Sequence, residues 1–267
     1  MRRTLSGIAA LATIALLAGC ASPGTSQEAV PEPTESAHEL SGTINIAAAA
    51  SLQPAFEQLA QDFTEANPKV TVDQLTFDGS SVLATQILAG APIDVFASAD
   101  EANMIKVSGA GLVAADPLPF ATSSLEIAVT PGNPLGIASL ADLAPGNTQP
   151  VVVICAAEVP CGAASHKLLD RDGVTLTPAS EEQNVTAVLT KVSSGEADAG
   201  LVYRSDVLRS DGAVEGIEIP DSADAAGSYM IAPLSRSKSP EAAAAFAEFL
   251  TSAPAQQLLA KLGFGPA

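Results

Sequence analysis

Four turns along this 267-residue chain place a serine, or a residue with a free backbone N–H, where an apolar strand gives way to a helical period. They are Ser51, Ser80 with Ser81 behind Gly79, Cys161 ahead of Gly162, and Val185 near the head of the run Asn184–Val192. A helix start offers N–H groups with no intrahelical acceptor and a partial positive charge, which is the chemistry of an anion site. Each such serine taken alone is an ordinary helix cap, and sequence alone does not show that the four converge. Other chemistries find fewer residues. His38 and His166 are the only histidines, and neither has a second ligand at metal spacing, so no metal or cofactor is expected. A Gly-x-Ser-x-Gly elbow is absent, and Ser235-Arg236-Ser237-Lys238 carries the bare Ser-x-x-Lys string without a Lys-Thr-Gly partner, so it reads as loop. A serine hydrolase, with His166 as its one base, is the enzymatic alternative to a binding protein; no residue is assigned a catalytic role.

The apolar pattern supplies the elements that position these turns. Thr43–Ala48 is a strand, Ser51 the expected N-cap of a helix carrying Phe56, Leu59, Ala60 and Phe63, and Val70–Phe77 a second strand ending at Asp78-Gly79-Ser80-Ser81. Val82, Leu83, Ile87 and Leu88 share a helix face that stops at Gly90. Ile93–Ala97 is a strand, Glu101–Val107 a short helix and Leu125–Thr130 a strand. Past Pro131 the pattern restarts with a strand at Pro150–Cys155, helices at Cys161–Asp170 and Asn184–Ser193, and a strand at Ala199–Tyr203. A terminal helix is capped at Ser239, with Pro240 in its first position and Gly263 closing its last turn. Strands alternating with helices imply parallel βαβ units, an α/β fold and, at this length, two sheets.

Composition narrows the partners. Hydrophobic residues make up 47% of the chain but aromatics only 4%, with no Trp, so the core is Ala, Val, Ile and Leu and stacked ligands such as sugars or bases are disfavoured. Twelve Lys and Arg against 30 Asp and Glu give a formal charge of −18, a field that opposes nucleic acid and anionic membrane surfaces. Arg2 and Arg3 precede an apolar stretch, Leu5–Leu17, too short to span a bilayer, and together they read as an export signal. The stretch ends in Leu17-Ala18-Gly19-Cys20, which resembles a bacterial lipobox and implies that residues 1–19 are removed and Cys20 is lipidated, anchoring the protein on the extracytoplasmic side of the cell membrane. Residues 20–41, rich in Pro, Ser, Thr and Glu, read as a disordered tether. Export places Cys155 and Cys161 in an oxidising space, where a close pair usually forms a disulfide; two buried free thiols are the alternative.

Longer runs carry a resemblance. Ala48-Ala49-Ala50-Ser51-Leu52, the run from Phe77 to Ile87, and Gly90-Ala91-Pro92-Ile93-Asp94-Val95-Phe96-Ala97-Ser98-Ala99-Asp100 resemble the molybdate-binding proteins of bacterial ABC importers, the ModA family. The likeness continues through Val159-Pro160-Cys161-Gly162, Asn184-Val185 and Gly200–Asp206 and covers nearly all of residues 43–265. It implies the type II periplasmic-binding-protein fold: two α/β lobes joined by a two-strand hinge, with the ligand in the cleft between them. Lobe I would comprise residues 42–122 and 230–267, and lobe II residues 123–229.

On the same resemblance, Ser51 and Ser80 donate hydroxyl and backbone N–H bonds to molybdate or tungstate, Cys161 and Val185 donate backbone N–H, and Tyr203 donates its phenol O–H. The implied partner is an importer permease, and the protein is expected to act as a monomer. Cys161 stands where the family often has Ala, and Asp78 where a small neutral residue is common. Molybdate, tungstate and sulfate carry no proton near pH 7, whereas phosphate keeps one and rewards an acceptor. An inward Asp78 would therefore favour phosphate, and another oxyanion such as sulfate or phosphate is the alternative ligand. Asp94, Asp100 and Asp198 are expected to serve as caps and loop bonds, since carboxylates in a dianion site repel.

Overall fold

The computed structural model describes residues 39–146 and 149–267. The export signal, Cys20 and residues 20–38 of the expected tether lie outside the described residues. Glu39 pairs with Lys69 at 2.6 Å, and Ser41 already opens the first strand.

Among the described residues ten strands divide into two mixed sheets. In the first, β1 (Ser41–Ala49) lies between β2 (Lys69–Asp78) and β3 (Val95–Ser98), parallel to both. The sheet continues through β10 (Ser228–Pro233), antiparallel to β3, to the edge strand β4 (Leu118–Thr122). In the second, β6 (Val152–Cys155) is parallel to β7 (Ser180–Glu182) and β8 (Ala199–Tyr203), while β5 (Leu125–Val129) runs antiparallel to β8 and to β9 (Glu215–Glu218). The chain crosses between sheets from β4 to β5 and returns from β9 to β10. Parallel units form one side of each sheet, from the edge strand β2 or β7 to the middle strand, as the strand–helix alternation implies, and antiparallel strands complete the other side.

Helices cover both faces of the first sheet. On one face α1 (Gln53–Ala66), α8 (Pro240–Phe249) and α9 (Ala253–Lys261) pack Phe56, Leu59, Phe63, Phe246 and Leu259 against Ile44, Ile46 and Ala48. On the other, α2 (Ser80–Leu88) and α3 (Glu101–Gly109) pack Leu83, Ile87, Met104 and Val107 against Ala47 and Phe96. The strand period of two sends Ile46 and Ala48 to one core and Ala47 to the other. The second sheet, with α4 (Pro160–Arg171), α5 (Val185–Ser193), α6 (Arg204–Arg209) and α7 (Ala223–Ala226), encloses an aliphatic core in which Tyr203 is the one aromatic side chain among the described residues.

Two helix starts differ from their expected form. Ser51 does not cap α1: it lies inside a 3-10 turn, Ala50–Leu52, and Leu52 occupies the cap position without a side-chain bond. Its hydroxyl bonds Tyr229 instead. The single terminal helix is two helices, because Pro254 cannot donate to the preceding turn and Ser252 caps a fresh start by accepting from the Ala255 N–H. Ser239 precedes α8 without a side-chain cap bond, and its hydroxyl accepts from the Thr43 N–H at 3.1 Å. Cys155 and Cys161 are joined by a disulfide that ties the end of β6 to the start of α4.

Candidate functional site

The C-terminal ends of β1, β2, β6 and β8 face one another across the gap between the sheets, and the turns that follow them enclose a cavity of about 10 Å³. This is the region where open α/β sheets bind ligands. That volume is about what one water molecule needs. Ser51, Ser80, Cys161, Val185 and Tyr203 all line it, together with Ala49, Ala50, Asp78, Gly79, Ala99, Val159, Pro160 and Asn184. The structure thus brings together all five residues singled out as anion donors, from both sheets.

Each donor is aimed by a specific local device. Gly79 is the N-cap of α2, Ser80 its first residue, and the Ser80 Oγ accepts the Ala99 N–H at 3.0 Å. A backbone amide can only donate, so one lone pair of this hydroxyl is engaged and its proton is free to point into the cavity. Ser51 Oγ lies 3.0 Å from Tyr229 Oη, with both side chains buried. Pro160 starts α4 without needing an N–H, and Cys161 follows it with an N–H in the unpaired first turn. Gly162 permits the close approach behind it, since a Cβ there would collide with the carbonyl oxygens of Ala156 and Cys155. Asn184 caps α5 by accepting the Ala187 N–H at 3.0 Å, leaving Val185 as the first helical residue. Tyr203 ends β8, where its backbone N–H donates to Asp206 Oδ2 at 3.0 Å and Arg209 Nε pairs with Asp206 Oδ1 at 2.9 Å.

The Tyr203 hydroxyl is the most informative group in the wall. Among the described residues five buried side-chain polar atoms lack a hydrogen-bond partner, and Tyr203 Oη is the one of these that belongs to a cavity-lining residue. Leaving a buried donor unpaired costs about 1–3 kcal/mol, a cost that a ligand oxygen in the cavity would remove. Burial foremost, and then the neighbouring Tyr229, Asp100 and Asp206, pushes the Tyr203 phenol well above its ordinary range, so it remains a donor.

Asp78 lines the cavity, but its Oδ1 is engaged by the Gly79 N–H at 2.7 Å and by Asn184 Nδ2 at 2.8 Å. It caps its own turn and bonds across to the other sheet. Asp94, Asp100 and Asp198 lie outside the cavity wall and accept backbone N–H groups of Asn45, Asn103 and Val151. No Lys or Arg lines the cavity. Fixed neutral dipoles are thus its donors, which can hold an anion in a dry site without a buried counter-charge. His166 on α4 is not in the wall, and among the described residues no cluster of His, Cys, Asp and Glu could hold a metal ion. Sequence reasoning missed Tyr229 and Asn184 as parts of the site; the cap signal at Asn184 was visible, while Tyr229 lies in a strand it did not foresee.

Two mixed α/β sheets crossed twice by the chain, with a small donor-lined cavity at their strand ends, define a solute-binding protein of the periplasmic type. Residues 44–265 match the family model described as bacterial extracellular solute-binding protein. The chain belongs to the ModA family of molybdate-binding proteins within that group: it is 43% identical over 257 residues, 95% of each chain, to the "Molybdate-binding protein ModA" of Mycobacterium tuberculosis. It is 29% identical to the "Putative ABC transporter substrate-binding lipoprotein YvgL" of Bacillus subtilis, over 96% of each chain. The fold is shared with the periplasmic molybdate-binding protein of Azotobacter vinelandii, at a TM-score of 0.72 and 20% identity over 84% of this chain and 99% of that one.

Proposed function

We propose that this chain captures molybdate, and tungstate with it, outside the cytoplasm and delivers the dianion to the permease of an ABC importer. Ser51 and Ser80 donate hydroxyl and backbone N–H bonds, Cys161 and Val185 donate backbone N–H, and Tyr203 donates its phenol proton. The observation that carries this reading is the Tyr203 hydroxyl, buried without a protein partner beside a cavity on which helix starts from both sheets converge. With neutral donors throughout, selection of molybdate over sulfate rests on the size of the cavity.

In this reading residues 42–122 with 230–267 and residues 123–229 close on the ligand as two bodies turning about the two crossings, and the closed form docks on the permease. Cys20 carries a lipid that holds a monomeric protein at the membrane; the lipoprotein named among its relatives supports this. The protein performs no catalysis and uses no cofactor. Phosphate is the second reading, favoured by the position of Asp78 in the wall and opposed by the two donors already on its Oδ1.

A thermal-shift panel on the full chain with molybdate, tungstate, sulfate and phosphate at fixed ionic strength tests the assignment. Stabilisation follows RT ln(1 + [L]/Kd), about 4 kcal/mol at a thousandfold excess over Kd. Molybdate and tungstate should raise the melting temperature well above the other two anions; an equal shift with sulfate or phosphate, or none with molybdate, contradicts the reading.

A further inference from the structure

We propose that Tyr229 determines the ligand's protonation state: by donating its phenol proton to Ser51 Oγ it commits Ser51 to donating into the cavity, so that the site takes fully deprotonated oxyanions and rejects those carrying a proton. The inference rests on the oxyanion-binding reading above and adds a residue outside the cavity wall.

The two hydroxyls stand 3.0 Å apart, and both residues are buried, Ser51 at 2% and Tyr229 at 0% exposure. One proton lies between them, and its direction decides what Ser51 presents to a ligand. If Ser51 donates, its lone pairs face the cavity, and the Tyr229 proton is left with Ser123 Oγ and Tyr203 Oη beside it, neither of which makes a hydrogen bond. If Tyr229 donates, its proton goes to Ser51 and the Ser51 proton goes to the ligand, so no buried donor is left over. Burial keeps Tyr229 protonated at any pH the folded protein meets in a cell. Ser80 needs no such partner, since the Ala99 amide that occupies its oxygen can only donate. Ser51 is therefore the one hydroxyl in the site whose polarity a side chain sets.

A hydroxyl committed to donating confronts the O–H of hydrogen phosphate with another donor. One with a free lone pair would accept that proton. The Tyr229 ring is held by edge contacts with Phe120, Tyr203 and Phe264, at centroid distances of 6.2, 5.9 and 5.4 Å, which Phe preserves. Tyr229→Phe thus removes the proton and keeps the packing.

Calorimetric titration of the wild type, Tyr229→Phe and Ser51→Ala with molybdate and with phosphate tests the proposal. The wild type should bind molybdate and discriminate against phosphate. Tyr229→Phe should shrink the phosphate-to-molybdate Kd ratio by about tenfold, mostly through tighter phosphate. Ser51→Ala, which has neither proton nor lone pair to offer, should lose molybdate affinity without gaining phosphate, and it remains a test if Tyr229→Phe fails to fold. An unchanged ratio in Tyr229→Phe, or a phosphate gain in Ser51→Ala, overturns the role of Tyr229 while leaving the oxyanion reading intact. Failure of the wild type to bind molybdate overturns that reading itself.

Discussion

The side-chain amide of Asn184 donates to Asp78 Oδ1 at 2.8 Å, joining the first turn of α5 on one sheet to the end of β2 on the other. The same Asn184 caps α5 through its Oδ1, so a single residue shapes a donor turn and bonds it to the opposite side of the cavity. Asn184→Asp should separate these roles. The cap survives, since Asp is as good an N-cap as Asn, but a carboxylate then faces Asp78. Molybdate affinity should fall at least tenfold in calorimetric titration, while the ligand-free melting temperature changes little. Unchanged affinity would show that the bond across the sheets contributes nothing to binding.

Beside this bond the two sides approach closely at Gly79. Its backbone, at φ −59° and ψ 136°, is one that alanine adopts freely, yet a Cβ there would collide with the Gln183 carbonyl oxygen. Gly79→Ala should therefore fold normally and resist closure. We expect near wild-type unfolding without ligand, at least a tenfold loss of molybdate affinity, and a larger radius in small-angle scattering with ligand present. Wild-type affinity would mean that the gap closes by another route.

Ser80→Ala and Tyr203→Phe each delete one hydroxyl donor and leave the surrounding shape. Each should weaken molybdate binding by about 1–3 kcal/mol. Their effects on stability without ligand should differ in sign. Ser80→Ala strands the Ala99 N–H and destabilises, whereas Tyr203→Phe removes an unpaired buried hydroxyl and is neutral or stabilising. Thermal melts beside the titrations check both; a destabilised Tyr203→Phe with intact affinity would assign the phenol a structural role.

The chain has two tyrosines, Tyr203 and Tyr229, and both are buried. Burial raises both phenols above their ordinary value, so the folded state holds these protons more tightly than the unfolded chain, whose tyrosines ionise near pH 10. Their contribution to stability is fully present below about pH 10 and is lost as the pH rises above it. In an alkaline titration, phenolate absorbance should appear together with unfolding measured by circular dichroism. Phenolate formed while the fold persists would contradict the burial of these hydroxyls.

The parts of the site legible in sequence are those with a local signature. Gly79 before Ser80, Pro160 before Cys161 and Asn184 before Val185 each mark a helix start within one or two residues, and each turn lies where the pattern places it. Tyr229 has no such mark. It sits in β10, a short antiparallel strand ending at Pro233, and its partner Ser51 is 178 residues away. The edge strand β4 was hidden by Pro119, a residue a strand tolerates at an edge. The break between α8 and α9 was written in Ser252 and Pro254 but masked by apolar residues that continue on both sides. Convergence, the property that turns separate helix starts into one site, belongs to the packing of the two sheets, which no local pattern encodes.

The charge of −18 limits the partners less than it first implies. Surface charge is screened over about 8 Å at physiological salt, whereas donors in the cavity wall would touch a small anion directly. The central claim is that these neutral donors hold one molybdate, and equilibrium dialysis of the purified full chain with elemental analysis measures this most directly. We predict one molybdenum per chain at saturation, displaced by tungstate and retained against a hundredfold excess of sulfate or phosphate. No retained molybdenum, or its ready displacement by sulfate, would contradict the account.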